Sequence, residues 1–524
     1  SMASASGLGA APTNVPFRLR TIIGPLVAII IGVFMVVLDS TAMNVALPSL
    51  VTGLHGPLST LQWTITGYVL AQTAVIPLAG WLSDRFGAKR VFLCSIALFT
   101  LGSVLCALAQ GSTMLIAFRI LQGLGGGVVI PIAIAFTYRL SPLERVGAVM
   151  GLMGIPILFA PAIGPVVAGW LVQYATWRWI FLVNLPVGIS GLLIGLRCLP
   201  TIERQNVAGL DLPGMFLGPL AFATLCYGVS QGSTSWNSAQ TLGGLLVGGL
   251  ALVAFVLAEL RAQTPLLQLR VFRSLHFSLG IVAQWIGQFS LFGTLFLVPL
   301  FLEQARGYGA FDTGLSMLPY AAAAAICMPL GGALSDRIGA RPLVVVGLGL
   351  IAGAVALLSR VSTTTQGSDL IGPLALLGAG LGLMLMTLTT YLLNTAPRKL
   401  VGRVTSLTNA LQQVTTSLSI AGLATIVTAR AATHGAAART ALASLHAHHT
   451  GALPPTTAHL ARELGAAMNA ALVTAFDDTF RVVIVAAAAG ALLALTLRRP
   501  RAVPAAAANG PADETAAEGM LLAG

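Results

Sequence analysis

Charge and hydrophobicity alternate along this chain on a scale of about twenty residues, with long uncharged runs separated by short stretches that hold nearly all the charged side chains. Mostly apolar runs recur near 21–43, 61–82, 91–109, 113–137, 146–172, 179–198, 212–230, 241–258, 277–302, 313–334, 343–359, 370–393, 405–429 and 480–497. Each is long enough for a helix rising about 1.5 Å per residue to cross a hydrocarbon core of about 30 Å. The pattern therefore predicts an all-α polytopic membrane protein with fourteen spans, and an even number puts both termini on one face.

Composition closes off the soluble alternatives. Hydrophobic residues make up 56% of the 524 and charged residues only 8%, with a mean hydropathy of +0.88. The net charge of +12 would suggest nucleic acid in a soluble protein, but here the basic residues sort by loop. With the N-terminus cytoplasmic, twenty of the 28 fall in inner loops and tails, seven fall outside, and Arg119 lies within a span. That bias follows the positive-inside rule and removes the need for a nucleic-acid partner. The expected location is the cytoplasmic (inner) membrane. The five cysteines have no metal-ligand spacing and read as reduced packing residues. The first apolar run is too long for a signal-peptide core, so it reads as a retained span.

Two stretches repeat. Gly80-Trp81-Leu82-Ser83-Asp84-Arg85-Phe86-Gly87-Ala88-Lys89-Arg90 follows the second run, and Gly332-Ala333-Leu334-Ser335-Asp336-Arg337-Ile338-Gly339-Ala340-Arg341 follows the tenth. Each ends a helix on small residues, turns at a glycine and sets an acid among bases. A duplicated loop implies two homologous halves. The copies lie eight spans apart rather than six, so spans 7 and 8 are extra. The organisation expected is an N-terminal segment 1–20, a six-helix bundle 21–198, a two-helix insert 199–274, a second six-helix bundle 275–498 with a long outer loop 430–472, and a disordered tail 499–524.

Asp39 carries the candidate chemistry. It follows a charge-free stretch from Leu26 to Leu38, and an acid at the centre of a span costs roughly 2.5–3.5 kcal/mol on insertion scales. A proton or cation site explains that cost; an interfacial position or a permanent ion pair is the structural alternative. Arg119 in span 4 is a fixed cation that must find an acid, a carbonyl or water. Counted from Ser112 it lies roughly 10 Å deep, and Asp39 counted back from Pro48 lies roughly 12 Å deep, at the same rise per residue. The two charges therefore share a level, and Gln122 shares the face of Arg119. A cation that approaches and leaves the acid would let it take and release a proton.

Span 5 carries Pro161, Gly164, Pro165 and Gly169. Prolines remove backbone donors and small residues permit close helix approach, which suits a bending element or, equally, a packing face. Neutral polar and aromatic side chains are the candidate cavity: Gln122, Trp63, Tyr68, Gln284, Gln288, Phe292, Asn409 and Gln413. Their alternative role is interhelical hydrogen bonding and packing. His446, His448 and His449 in the outer segment read as part of a solvated loop. Neither a metal nor a cofactor is expected.

Asp84 with its flanking glycines, Arg119 with Gln122 and Gly123, and Gly164-Pro165 resemble the signatures of the major facilitator superfamily. With fourteen spans, Leu38-Asp39-Ser40-Thr41 running into Asn44-Val45-Ala46-Leu47-Pro48, and Trp177-Arg178-Trp179-Ile180-Phe181 followed by Asn184 and Pro186, the chain resembles its fourteen-helix drug/proton antiporter branch over roughly residues 20–498. The resemblance implies a major facilitator fold of two six-helix bundles plus two inserted helices, rocking about a central cavity. It also implies proton-driven export of small amphipathic, often cationic, compounds, with Asp39 and Arg119 coupling. Gly80, Asp84, Arg85, Gly87, Lys89, Arg90, Asp336, Arg337, Gly339 and Arg341 would act in conformational change. Ala160 and Ala168 stand where the usual span-5 pattern has glycines, and span 13 offers Asn409, Gln412 and Gln413 where some members carry acids. The partners expected are small substrates, protons and the bilayer; any periplasmic adaptor is left open. A carrier for a metabolite, siderophore or lipid is the alternative reading, and a non-transporting receptor is a further one. No catalytic dyad points to an enzyme.

Overall fold

The computed structural model describes residues 20–202, 211–232, 234–262, 265–447 and 455–497. The terminal segments 1–19 and 498–524 and the triplet His-x-His-His of the outer segment lie outside what is described of the backbone or side chains. Among the described residues all regular structure is helical, as it must be where no water satisfies backbone groups.

The order begins with α1 (Arg20–Leu54), α2 (Leu58–Leu61), α3 (Trp63–Val75), α4 (Ala79–Phe86), α5 (Ala88–Leu108), α6 (Ser112–Gly127), α7 (Val129–Leu140), α8 (Val146–Tyr174), α9 (Arg178–Leu182) and α10 (Asn184–Cys198). The pair α11 (Leu212–Gly232) and α12 (Ala239–Arg261) follows. The chain continues with α13 (Leu275–Gln304), α14 (Ala310–Ser316), α15 (Leu318–Ile338), α16 (Ala340–Leu358), α17 (Ile371–Asn394), α18 (Val401–Ala447) and α19 (Pro455–Ala494). Several spans are broken helices with local causes. Pro77 sits in the tight turn Ile76–Leu78 between α3 and α4, and the run Gly125-Gly126-Gly127 ahead of Pro131 separates α6 from α7.

Among the described residues thirteen helical segments are long and apolar enough to cross a membrane, one fewer than the fourteen expected. The difference is at α19. Asp477, Asp478 and Arg481 interrupt it, leaving charge-free stretches from Leu464 to Phe476 and from Val482 to Ala494, each too short to span alone. It nevertheless packs against α13, α16 and α18.

Two expectations need correction. Within the supposed outer loop 430–472, residues 430–447 continue α18 and 455–472 belong to α19. Alanine-rich sequence favours helix over irregular chain, and the pair is fastened where Asp478 meets His434 Nε2 at 3.0 Å and Arg430 Nε at 3.9 Å. Likewise α1 runs through Pro48 to Leu54, so Pro48 lies inside the helix and does not end it.

The repeated loops are real structural equivalents. Gly87 and Gly339 adopt φ of 92° and 89°, the left-handed region that favours glycine, and each turns one helix into the next. Each repeat reaches across to the start of a helix in the opposite part of the chain. Gly80 abuts Gly402 of α18, where an added Cβ would come within 2.6 Å of the carbonyl oxygen, and Gly332 abuts Gly147 of α8 in the same way. Along their length α8 and α15 pack directly, and α11 and α12 pack closely against each other at Gly228 and Gly244.

Candidate functional site

Asp39 is wholly enclosed among the first, second, third, fourth and sixth spans, only 1% exposed. Its Oδ2 accepts from Arg119 Nη1 at 2.5 Å. Its Oδ1 accepts from Gln122 Nε2 at 3.1 Å and from Asn184 Nδ2 at 2.7 Å. Ser103 Oγ on α5 joins the same two amides, at 2.6 Å from Gln122 and 3.2 Å from Asn184.

Arg119 is equally enclosed. Nε donates to the Thr64 carbonyl at 3.1 Å and Nη1 also reaches Gln122 Oε1 at 2.6 Å. The Tyr68 ring lies beneath the guanidinium at 3.9 Å, and Gln72 Nε2 donates to Tyr68 Oη at 2.8 Å. Small residues let the helices approach closely enough for this: an added Cβ on Gly102 would stand 2.8 Å from Gln122 Cα, and one on Gly123 would stand 2.5 Å from the Tyr68 carbonyl. The result is a neutral ion pair with its remaining hydrogen-bonding capacity met by amides and a hydroxyl. Such a pair tolerates burial, whereas either charge alone does not. A void of about 10 Å³, room for about one water, borders Asp39 and Asn184 beside Val167 and Ala168 of α8.

The depth argument thus brings Asp39, Arg119 and Gln122 together. It does not reveal Asn184, Ser103 or Thr64, neutral polar residues in three separate spans. Asn184 stands in one of the stretches that carry the resemblance, yet spacing alone gives it no role. Asp211 and Glu259, buried at the facing ends of α11 and α12, are also beyond it: Glu259 Oε2 accepts from Leu267 N at 3.1 Å and Asp211 Oδ1 from Gly214 N at 3.0 Å.

The residues expected to line one cavity are dispersed. Tyr68 and Gln122 belong to the ion-pair cluster. Trp63 is exposed and stacks on Tyr227 of α11 at 6.0 Å, outside the interior. Asn409 Nδ2 turns back to the Thr405 carbonyl of its own helix at 2.8 Å. Gln284 Nε2 reaches Thr389 Oγ1 at 3.4 Å, while Gln288, 1% exposed, has neither amide atom hydrogen-bonded. Phe292 and Gln413 are half-buried. A cavity of about 570 Å³ lies elsewhere, at the end of α15 and α17 beside Asp336, Arg341, Thr387, Thr390 and Asn394.

In α8, Pro161 and Pro165 lie within a continuous helix, so they do not end it. Gly164 faces Thr41 of α1, and Gly169 faces Phe311 of α14 at 3.7 Å from an added Cβ. The span-5 segment is therefore a contact face on two sides.

The two repeated acids do different work. Asp84, 1% exposed, faces Arg139 Nη2 of α7 at 3.2 Å and Arg403 Nε of α18 at 3.5 Å. Gly80 N also donates to Ser406 Oγ of α18 at 2.7 Å. Asp336 instead caps the start of α8, accepting from Gly147 N at 2.8 Å and Ala148 N at 3.0 Å, where the helix dipole favours an anion. Tyr138 Oη donates to Asn394 Oδ1 at 2.6 Å and Arg398 Nη2 to the Ser141 carbonyl at 3.0 Å, completing a belt of crossings at this end.

Residues 29–420 match the family described as Major Facilitator Superfamily. The chain is 35% identical over 396 residues to the multidrug resistance protein B homolog of Mycobacterium tuberculosis, covering 74% of this chain and 73% of that protein. It is 31% identical over 405 residues to the lincomycin resistance protein LmrB of Listeria monocytogenes, covering 77% and 85%. Among solved structures, the proton:xylose symporter XylE superposes with a TM-score of 0.56 at 14% identity, over 90% of this chain and 95% of that one.

Proposed function

This chain belongs to the major facilitator superfamily, and we propose that it is a secondary active transporter that exports hydrophobic or cationic drug-like compounds in exchange for protons. Members of the family are transporters rather than enzymes. The observation that carries the reading is the Asp39–Arg119 pair, a carboxylate enclosed within the membrane with a fixed cation at 2.5 Å. The named drug-resistance relatives support the substrate class.

In this reading Asp39 is the proton carrier and Arg119 sets its affinity. When a rearrangement among the first, fourth and sixth spans, within the first bundle, draws Arg119 away, an unpaired buried carboxylate must take up a proton. The amides of Gln122 and Asn184 hold the carboxylate in position in both states. Asp84 with Arg139 and Arg403, and Asp336 on the start of α8, fasten the end that the charge bias assigns to the cytoplasm. Breaking them opens the interior to that side. Both termini are then cytoplasmic, the membrane is the inner membrane, and substrate sites lie on the polar faces of α13, α17 and α18, where the buried Gln288 has unused hydrogen-bonding groups.

The test is efflux of a panel of amphipathic dyes from vesicles with an imposed pH gradient. Efflux that follows the gradient and collapses with a protonophore supports the reading. Transport indifferent to the gradient overturns proton exchange, and no movement of any dye overturns the substrate class.

A further inference from the structure

The inserted pair α11–α12 has no part in the transport cycle just described, yet α11 occupies a particular place. It lies in the seam between the second span and the thirteenth, packing on α3 and the turn Ile76–Leu78 on one flank and on α18 on the other. On the first flank the contacts include an aromatic stack and an apolar touch: Tyr227 stacks on Trp63 at 6.0 Å with planes 24° apart, and an added Cβ on Gly218 would stand 3.5 Å from Pro77. On the second flank there are separate polar contacts. Trp236, just past the end of α11, donates Nε1 to Thr425 Oγ1 at 2.7 Å. Cys226 sits at the middle of the seam, 2% exposed, with its side chain against both Thr73 of α3 and Ser417 of α18.

Nearer the repeated loop nothing separates the two spans, since α4 and α18 touch directly at Gly80 and Ser406. The second and thirteenth spans thus meet at one end and diverge toward the other, where α11 fills the gap. The opposite seam needs no filler, because α8 and α15 pack backbone to backbone: an added Cβ on Gly151 would stand 2.6 Å from the Met328 carbonyl. α12 covers α11 from outside and turns Leu242, Leu246, Leu250 and Val253 outward, an apolar face suited to lipid.

We infer that the inserted hairpin is a moving seal: it is anchored on α3, slides on α18, and keeps acyl chains and bilayer-dissolved molecules from entering the interior sideways. The stacked and apolar contacts to α3 are kept as a rigid unit, while the contacts to α18, the hydrogen bond of Trp236 among them, break and re-form as the halves rock. The sliding part rests on the transporter reading above; the sealing part does not.

Two experiments separate these. In protein whose other four cysteines are replaced by serine, Cys226 is paired in turn with Thr73→Cys and Ser417→Cys and oxidised, and disulfide yield and dye efflux are both read. Both disulfides are expected to form. The Cys226 link to position 417 should cut efflux at least tenfold, reversibly with reductant, and the link to position 73 should leave it within twofold. Full efflux with the 417 link, a block by the 73 link, or failure of either disulfide to form overturns the assignment of anchor and slide. The seal is read without transport, in the full chain with its native cysteines in liposomes, from the rate at which membrane-permeant N-ethylmaleimide modifies Cys226, mapped by mass spectrometry. Tyr227→Ala with Trp236→Ala should raise that rate at least tenfold, and an unchanged rate overturns the seal. Wild-type protein that moves no dye while Cys226 becomes reactive in this way would sink the transporter reading and leave the seal standing.

Discussion

Arg119 Nη1 stands 2.5 Å from Asp39 Oδ2, and neither side chain is more than 1% exposed. Two opposite charges at that distance inside apolar packing stabilise each other only as a pair. Removing one leaves the other as an uncompensated buried charge at a cost of about 3–5 kcal/mol. Arg119→Gln should therefore lower thermal stability substantially at neutral pH, and the double variant with Asp39→Asn should recover much of the loss. Melting of the two purified proteins checks this, and additive losses would mean that the pair is not coupled.

The repeated acids separate by burial. Asp84→Asn strands Arg139 and Arg403, which are only 11% and 8% exposed, and should cost several-fold more stability than Asp336→Asn. The latter removes a helix-start acceptor worth about 0.5–2 kcal/mol. Side-by-side melting curves read the ratio; equal losses would contradict the asymmetry between the two loops.

Close helix approach at the same end gives a steric prediction. Gly80→Val would drive side-chain atoms into the Gly402 carbonyl, 2.6 Å from the first added carbon. Overpacking of this kind costs about 1–3 kcal/mol, and it falls on the state in which α4 meets α18. Dye efflux should drop at least tenfold while the protein still inserts; wild-type efflux would show that this contact is not part of the cycle.

Gln288 is buried with both amide atoms unpaired. An unsatisfied buried group costs about 1–3 kcal/mol, so Gln288→Leu should raise the thermal midpoint. If this face receives substrate, the same change should weaken binding of dyes that carry hydrogen-bonding groups. A variant that is more stable and unchanged in dye affinity would remove Gln288 from the substrate face.

At the mouth of α19, the hydrogen bond from His434, with help from Arg430 and Arg481, holds the Asp478 carboxyl below its usual range. A depressed carboxyl contributes stability that is present above the ordinary carboxylate value of about 3.9 and is lost as pH falls through the lower folded value. Asp478→Asn should accordingly melt slightly earlier than wild type at pH 7, with the gap closing below about pH 3. A gap that persists in acid would assign the effect to packing rather than to charge.

Length and apolar periodicity alone make the helices and most of their order legible, because a membrane span has only one common solution. The meeting of Asp39 with Arg119 is legible too, since depth along two spans is countable from sequence. Asn184 and Ser103 are not, because rotation of a helix about its axis is set by packing against neighbours rather than by residue count. The same holds for two of the cavity residues: Trp63 stacks outward on Tyr227 and the Asn409 amide turns back to its own helix. The described parts of the supposed loop, 430–447 and 455–472, are helical because their alanines satisfy a helix without needing an apolar run, so a hydropathy pattern passes over them. The two repeated loops are alike in sequence and differ in partners, Arg139 and Arg403 against a bare helix start, and only the fold distinguishes them.

Coupling through Asp39 is tested most directly by reconstituting wild type and Asp39→Asn side by side in liposomes and imposing a pH gradient while dye movement and proton flux are recorded together. The wild-type protein should drive dye against its gradient with matching proton counterflow. Asp39→Asn should bind dye and carry it only downhill, with no proton movement. Uphill transport by Asp39→Asn at the wild-type rate would contradict the account.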